Sequence, residues 1–201
     1  MAVSASDVKA LRDRTGAAMM DCKAALEEAG GDSDKAVELL RVKGQASAAK
    51  RSGKATSEGV IASYIHAGGK VGVLVEVQCE TDFVARTDDF QEFAREVAIH
   101  IAATGPQYVS IDEIPEEARE AERRVFEEKA RAEGKPDNVI ERIVEGQLAK
   151  WAKDVVLLEQ EHVRTDRHEG KSIEELRADL AANTGENIRI ARFARFAVGE
   201  E

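Results

Sequence analysis

Apolar residues recur at helical spacing in three short runs within residues 1–44. The runs consist of Val8 and Leu11, then Met19, Cys22, Leu26 and Ala29, then Ala36, Val37 and Leu40. Ser4 and Asp7 form a capping signature before the first run, and the pair Gly30-Gly31 follows the second. We therefore predict a small N-terminal three-helix (UBA-like) module, whose third helix ends at Gly44.

The segment 45–58 lacks this pattern and is rich in small and polar residues, with a local basic charge from Lys50, Arg51 and Lys54. Such a composition is typical of a flexible linker. A basic segment can also contact RNA, which leaves an RNA-associated binding module open as an alternative. A solvated spacer is favoured, because no aromatic residue that could stack on a base is interleaved with the charges.

From Val60 the apolar period changes from helical spacing to two. Val71, Val73, Val75 and Val77 share one face of a second run, and Gly68-Gly69 separates the two runs, so the pattern predicts a β-hairpin. Thr87 then caps a predicted helix with one apolar side, formed by Phe90, Phe93, Ala94, Val97, Ala98 and Ile101. A strand pair that leads into a helix indicates an α+β fold.

The remainder of the chain reads as charged helices followed by a strand. We expect a charged helical segment over residues 116–153, whose first part, to about Gly134, projects or lies on the surface. Its second part, capped by Asp137, should pack on the core through Ile140, Ile143, Val144, Leu148 and Trp151, and a short strand should follow at Val155–Leu158. A capping box at Ser172 and Glu175 predicts a further helix, and the run IRIARFARFAV predicts a last strand. Residues 59–201 should thus form an α+β core of an antiparallel sheet packed with helices.

The net charge and the distribution of apolar residues argue against several classes of function. The 201 residues carry a net charge of -10 at pH 7, which argues against binding nucleic acid directly through a broad basic face. The sequence shows neither a signal peptide nor an apolar run of the roughly 18 residues that a membrane span needs. We expect a cytoplasmic protein whose partner is another protein.

The sequence contains no recognisable motif for catalysis or metal binding. The four histidines show no ligand spacing, and Cys22 and Cys79 form no CxxC pair. A cysteine-dependent hydrolase built on Cys79 stays open as an alternative, although a buried structural thiol is the more common role for a cysteine in an apolar run. We expect no enzymatic activity, no cofactor and no metal.

Three blocks of the sequence resemble bacterial elongation factor Ts. They are TGAAMMDCKAALEEAGGDSDKAVELLRVKG at residues 15–44, CETDFVA at 79–85 and VEGQLAKW at 144–151. The blocks occur in the order of that family and span most of the chain, and the spacing is similar to that of its short form. The resemblance implies a guanine-nucleotide exchange factor for elongation factor Tu, which displaces GDP and has no enzymatic site of its own.

The resemblance assigns the TDFVA loop to the partner's nucleotide site. Thr81, Asp82, Phe83 and Val84 would enter the nucleotide domain of elongation factor Tu near its bound magnesium, with Phe83 as a wedge. A different role for Phe83 follows from its position alone, since an aromatic side chain between a strand and a helix can simply fill the corner.

Three further residues are expected to contact the partner. On a helical wheel His100 falls at the edge of the apolar stripe, half-buried, and the resemblance implies that it presses near the phosphate-binding loop. Met19 and Met20 cannot both face the core of the N-terminal module, because they are consecutive. Their flexible thioethers suit a docking surface, which is the role that the resemblance implies for this stretch.

A homodimer is expected from the short spacing between the loop and the histidine. In the long form of the family these two features belong to separate core halves, whereas here Asp82 and His100 lie on one hairpin-helix unit. One short core would then be unable to place Asp82, Phe83 and His100 on one partner molecule together. Exposed sheet edges and Ile99 offer a dimer surface, on which two chains share one partner.

Overall fold

The structure is a computed structural model that describes residues 3–200, apart from the side chains of residues 45, 48 and 49. The helices are α1 (Ala5–Thr15), α2 (Met19–Glu28), α3 (Ser33–Arg51), α4 (Asp82–Ala85), α5 (Asp88–Thr104), α6 (Glu116–Ala132), α7 (Asp137–Val155), α8 (Thr165–His168) and α9 (Ile173–Thr184). The strands are β1 (Glu58–Ile65), β2 (Val71–Cys79) and β3 (Arg189–Ala197). The predicted α+β fold is confirmed.

The N-terminal helices begin and end where the sequence indicates. The Ser4 hydroxyl accepts a hydrogen bond from the Asp7 N–H at 3.2 Å, and the Asp7 carboxylate accepts one from the Ser4 N–H at 3.1 Å. Gly16 ends α1 with a φ of 71°, a left-handed conformation that glycine adopts without a steric penalty. The three helices enclose a small apolar core of Val8, Leu11, Cys22, Ala25, Leu26 and Ala36.

Helix α3 is longer than predicted. It continues through Gly44 to Arg51, so the predicted helix end at Gly44 is wrong, and residues 45–51 are helical. A side-chain Cβ at Gly44 would lie 3.0 Å from the Cβ of Ala182, so the glycine marks a close approach to α9 rather than a helix end. Alanine and lysine, which are common after Gly44, also favour continuation of a helix.

The three strands form one sheet in the order β1-β2-β3. A tight turn joins β1 to β2, in which the His66 N–H donates to the Val71 carbonyl and the Gly69 N–H donates to the His66 carbonyl, both at 2.9 Å. Val73, Val75 and Val77 are buried, as the predicted alternation of β2 requires. Helix α5 buries the predicted apolar side, which comprises Phe90, Phe93, Ala94, Val97, Ala98 and Ile101.

Helices α6 and α7 pack against each other around their own apolar cluster. Its buried members are Ala130, Ile140, Val144 and Leu148. The predicted strand at Val155–Leu158 is wrong, because α7 runs to Val155 and a 3-10 turn follows at Leu157–Glu159. Only the isolated bridge between Tyr108 and Val156 gives this apolar run any sheet-like pairing within the described residues.

The chain divides into two compact units. The first unit consists of the residues up to Ala62, Glu76–Glu96 and Glu175–Ala191, and the second of Ser63–Val75, Val97–Glu174 and the residues from Arg192 on. The predicted division into 1–44, 45–58 and 59–201 stays a prediction, and residues 1, 2 and 201 lie outside the described residues. Within residues 3–200, no helix combines the length and the apolar character that crossing a membrane requires.

Candidate partner-binding site

The TDFVA sequence forms a single helical turn, α4, directly after the central strand β2. Thr81 is its N-cap, with an extended backbone and a hydroxyl that accepts a hydrogen bond from the Val84 N–H at 3.4 Å. Beyond the turn, the Gln91 side chain donates to the Ala85 carbonyl at 2.8 Å, which ties α4 to the start of α5. The loop is therefore held at both ends and presents its middle residues outward.

Phe83 lies on the outer side of this turn with 79% of its surface exposed, the largest exposed fraction among the large apolar residues described. The corner between β2 and α4 is filled instead by Cys79 and Ala85, which are both buried. Phe83 therefore does not fill the corner, and the apolar surface that it exposes is available to a partner.

Asp82 lies beside Phe83 and is also accessible. Its carboxylate forms an ion pair with Arg86 one turn along, at 3.0 Å, and both side chains face solvent substantially. Exposed ion pairs of this kind contribute at most about 1 kcal/mol, because water and salt screen them. The carboxylate can therefore leave Arg86 for a stronger cation at little cost.

Met19 and Met20 begin α2 and are exposed to 43% and 71%. The buried side of that helix is formed by Cys22, Ala25 and Leu26, so neither methionine belongs to the buried core of the module. Two neighbouring exposed thioethers give the module an adaptable apolar surface.

His100 occupies a different environment from the predicted one. It is wholly buried, so the expectation of a half-buried position at the edge of the stripe is wrong. Its Nδ1 accepts a hydrogen bond from the Val163 N–H at 3.2 Å, which leaves Nε2 to donate to the Gln160 side-chain oxygen at 2.9 Å. Burial lowers the pKa of His100 to about 4, opposed by the Gln160 hydrogen bond and reinforced by His162. In this conformation the imidazole has no surface to offer a partner.

The second unit brings three histidines into a row, which the sequence spacing did not indicate. The ring centres of His100 and His162 are 5.3 Å apart, and those of His162 and His168 are 4.2 Å apart. His162 is buried as well, and its Nδ1 accepts from the Arg164 N–H at 3.1 Å. His100 and His162 lie 62 positions apart in the sequence, so only the fold reveals this row.

A sequence model of the family described as Elongation factor TS matches residues 23–200 of the chain. The chain belongs to the elongation factor Ts family. The Elongation factor Ts of Nitratidesulfovibrio vulgaris is 54% identical over 201 residues, which are 100% of this chain and 99% of the relative. The Elongation factor Ts of Geobacter metallireducens is 50% identical over 200 residues, covering 100% of this chain and 91% of the relative. That of Carboxydothermus hydrogenoformans is 52% identical over 198 residues, covering 98% and 90%.

Membership in the elongation factor Ts family confirms the resemblance and assigns the chain a role in translation elongation. The alternative of a cysteine hydrolase has no support at Cys79. Burial and the nearby charge of Glu186 raise the pKa of its thiol to about 11, and the thiol donates to the Thr81 carbonyl at 3.1 Å. A thiol of this kind is a poor nucleophile near neutral pH.

Two basic residues of the predicted linker have partners within the chain. Arg51 donates a hydrogen bond to the Gly185 carbonyl, and the Lys54 ammonium lies 2.9 Å from a carboxylate oxygen of Glu80. Two of the three cations that suggested RNA binding therefore have partners in the fold, which weakens that alternative.

Sequence reasoning missed one residue at the base of the TDFVA loop. Glu186 accepts hydrogen bonds from the backbone of Glu80 and Thr81 and from the Thr81 hydroxyl. The sequence TGEN at residues 184–187 carries the ordinary signal of a turn after a helix, and nothing in it indicates a contact with a loop about a hundred residues earlier.

Proposed function

We propose that the protein is the guanine-nucleotide exchange factor of elongation factor Tu, acts in the cytoplasm, and carries out no covalent chemistry. It binds the GDP complex of elongation factor Tu and promotes GDP release, with Thr81, Asp82, Phe83 and Val84 placed at the partner's magnesium and phosphate site. The observation that carries this proposal is the exposed Phe83 on a loop held at both ends.

The energetic basis is the burial of the exposed aromatic ring. Burying a phenylalanine side chain contributes roughly 1.5 to 3 kcal/mol, which is available only if the partner opens a pocket for it. Binding then favours the partner conformation that holds magnesium and GDP poorly. At about 1.4 kcal/mol per tenfold, this amounts to roughly 10- to 150-fold in GDP affinity. By reciprocity, GDP weakens the binding of this protein by the same factor.

Asp82 brings a negative charge to the same site on the partner as Phe83. A carboxylate is a ligand that magnesium readily accepts, so an aspartate brought to the nucleotide site competes with the groups that hold the ion. The exposed ion pair with Arg86 is weak enough to be given up for that purpose. The neighbouring side chains of Asp82 and Phe83 thus act on magnesium and on the pocket wall together.

The N-terminal helices serve as the docking module in this proposal. Met19 and Met20 present apolar, flexible side chains at the start of α2 and are suited to an irregular partner surface. Docking through this module raises the local concentration of the loop at the nucleotide site. The methionines therefore act on affinity, and Phe83 acts on release.

The homodimer remains a proposal, and the part assigned to His100 has lost its support. A shared site requires an exposed histidine, whereas His100 is buried and hydrogen-bonded through both nitrogens. The edge strands of the sheet still offer exposed apolar side chains for association, Ile61 and Ile65 on β1 and Phe196 on β3. Sedimentation equilibrium measures this directly, and a monomer at micromolar concentration would contradict the dimer.

The exchange function is tested by release of a fluorescent GDP analogue from elongation factor Tu. Wild-type protein should accelerate release, and Phe83→Ala should lower the rate at saturating protein by roughly 10- to 150-fold. Val125→Ala is the control, because it removes another exposed large apolar side chain, 56% accessible, on α6, to which the proposal assigns no role. No acceleration by the wild type would refute the proposed function. An equal loss in both variants would refute the specific role of Phe83.

A further inference from the structure

The turn after α9 holds the base of the TDFVA loop through the carboxylate of Glu186. One oxygen, Oε2, accepts from the backbone N–H of Glu80 and from that of Thr81, both at 3.0 Å. The other oxygen, Oε1, accepts from the Thr81 hydroxyl at 2.6 Å. Three donors from two consecutive residues fix the direction in which the chain enters α4, and hydrogen bonds to an ionised acceptor are stronger than neutral ones.

The carboxylate of Glu80 accepts hydrogen bonds in turn, one of them from the turn that carries Glu186. Glu80 Oε1 accepts from the backbone N–H of Asn187 at 2.7 Å, and its Oε2 accepts from the Lys54 ammonium at 2.9 Å. The Asn187 hydrogen bond, followed by that of Lys54, lowers the pKa of Glu80 below its ordinary value. The strand end at Glu80 and the turn at residues 185–187 are therefore linked reciprocally.

The same turn also holds the end of α3. The buried Asn187 side chain donates from Nδ2 to the carbonyl of Lys54 at 2.8 Å and to that of Ser52 at 3.3 Å. The Arg51 guanidinium donates to the carbonyl of Gly185. All of these residues belong to the first unit, so a single polar junction joins the N-terminal helices to the loop that carries Phe83.

We propose that Glu186 is a positioning residue for nucleotide exchange, which orients α4 so that Phe83 and Asp82 face the partner while the N-terminal module is docked. This inference rests on the proposed exchange function. Glu186 acts through Thr81, whose hydroxyl donates to Glu186 and accepts from the Val84 N–H, so one side chain sets both the entry of the loop and the cap of the helical turn.

The side-chain chemistry predicts a graded series of variants. Glu186→Gln keeps one oxygen acceptor but turns an amide toward donors, whereas Glu186→Ala leaves two backbone N–H groups without the acceptor. Thr81→Val removes the hydroxyl with little change of shape. Glu145→Gln is the matched control, because it changes an exposed glutamate on α7.

The first measurement is the rate of GDP-analogue release as a function of protein concentration. Glu186→Ala and Thr81→Val should lower the saturating rate about tenfold while changing the half-saturating concentration less than threefold. Glu145→Gln should behave as the wild type. A positioning role also predicts that adding Phe83→Ala to Glu186→Ala costs less than adding it to the wild type, since both act through one group.

The second measurement needs no partner and separates this inference from the proposed function. Hydrogen exchange at the Glu80 and Thr81 amides should be at least tenfold faster in Glu186→Ala than in wild type, while exchange in α7 is unchanged. Faster exchange throughout the chain would overturn the positioning role in favour of general stability. Wild-type exchange rates at both amides, or a wild-type saturating release rate in both Glu186→Ala and Thr81→Val, would also overturn it.

Discussion

Acidification should destabilise the protein through His100. Lowering the pH from 7 to 5 protonates histidines in the unfolded chain, where the ordinary pKa is 6.5, but not His100 in the fold, where burial lowers the pKa to about 4. The geometry gives the reason, because Nδ1 already accepts from the Val163 N–H and no water reaches the ring. A proton on that nitrogen would replace a hydrogen bond with two opposed donors.

The sign and the size follow from these two pKa values. Since the folded pKa is depressed, the unfolded chain binds more protons between pH 6.5 and about 4, and stability falls as the pH decreases through that window. The full effect is about 3 kcal/mol, at 1.36 kcal/mol per unit of pKa. Between pH 7 and pH 5 the expected loss from His100 alone is about 2 kcal/mol.

Urea unfolding at pH 7, 6 and 5 measures the loss, with His100→Gln and His66→Gln as a matched pair. His66 lies on the exposed turn between β1 and β2, so its replacement is the control for removing a histidine without disturbing a buried site. His100→Gln should lose about 2 kcal/mol less than the wild type over the same interval, because the amide does not titrate. The same loss in His100→Gln and wild type would contradict the assigned role of His100, as would an NMR titration of His100 near 6.5.

Two further predictions concern the strand β1 and the thiol of β2. Gly59→Ala should lower the free energy of unfolding by roughly 1 to 3 kcal/mol or more, because φ is 151° and a Cβ would lie 2.2 Å from the Val77 carbonyl oxygen. An unchanged midpoint of urea unfolding would contradict this. Gly134→Ala is the control for backbone strain alone, because Gly134 has a φ of 71° and an added Cβ there would meet open space. In a Cys22→Ala background, Cys79 should react with a disulfide reagent at pH 8 only after unfolding, because burial raises the pKa of the thiol to about 11, and prompt labelling of the folded chain would show otherwise.

Local signals in the sequence predicted the elements whose ends depend on neighbouring residues. The Ser4 capping box, the left-handed Gly16 and the valine alternation of β2 are set by contacts within a few residues, and each appears as expected. Gly44 is an exception among these local signals. It carries the ordinary signal of a helix end, but it lies inside α3, where the missing side chain leaves room for Ala182.

The residues of the candidate site also differ in whether local sequence or distant contacts determine their environment. The resemblance, and not the position alone, predicted an exposed Phe83, because an aromatic residue between a strand and a helix can also fill the corner that Cys79 and Ala85 occupy here. The burial of His100 depends on Gln160 and Val163, which are 60 and 63 residues further along the chain. Glu186 was missed for the same reason, since its three donors lie 105 and 106 residues earlier. No periodicity or motif reports contacts at such separations.

The long separation between Thr81 and Glu186 has a consequence for the timing of synthesis. At roughly 5 to 20 residues per second, the 105 residues between them take roughly 5 to 20 s to translate. During that interval β2 can pair only with β1, and the chain that leads into α4 has no carboxylate to receive its amides. In a growing chain the backbone that leads to Phe83 therefore stays unanchored at its base until the turn at residues 185–187 has been made.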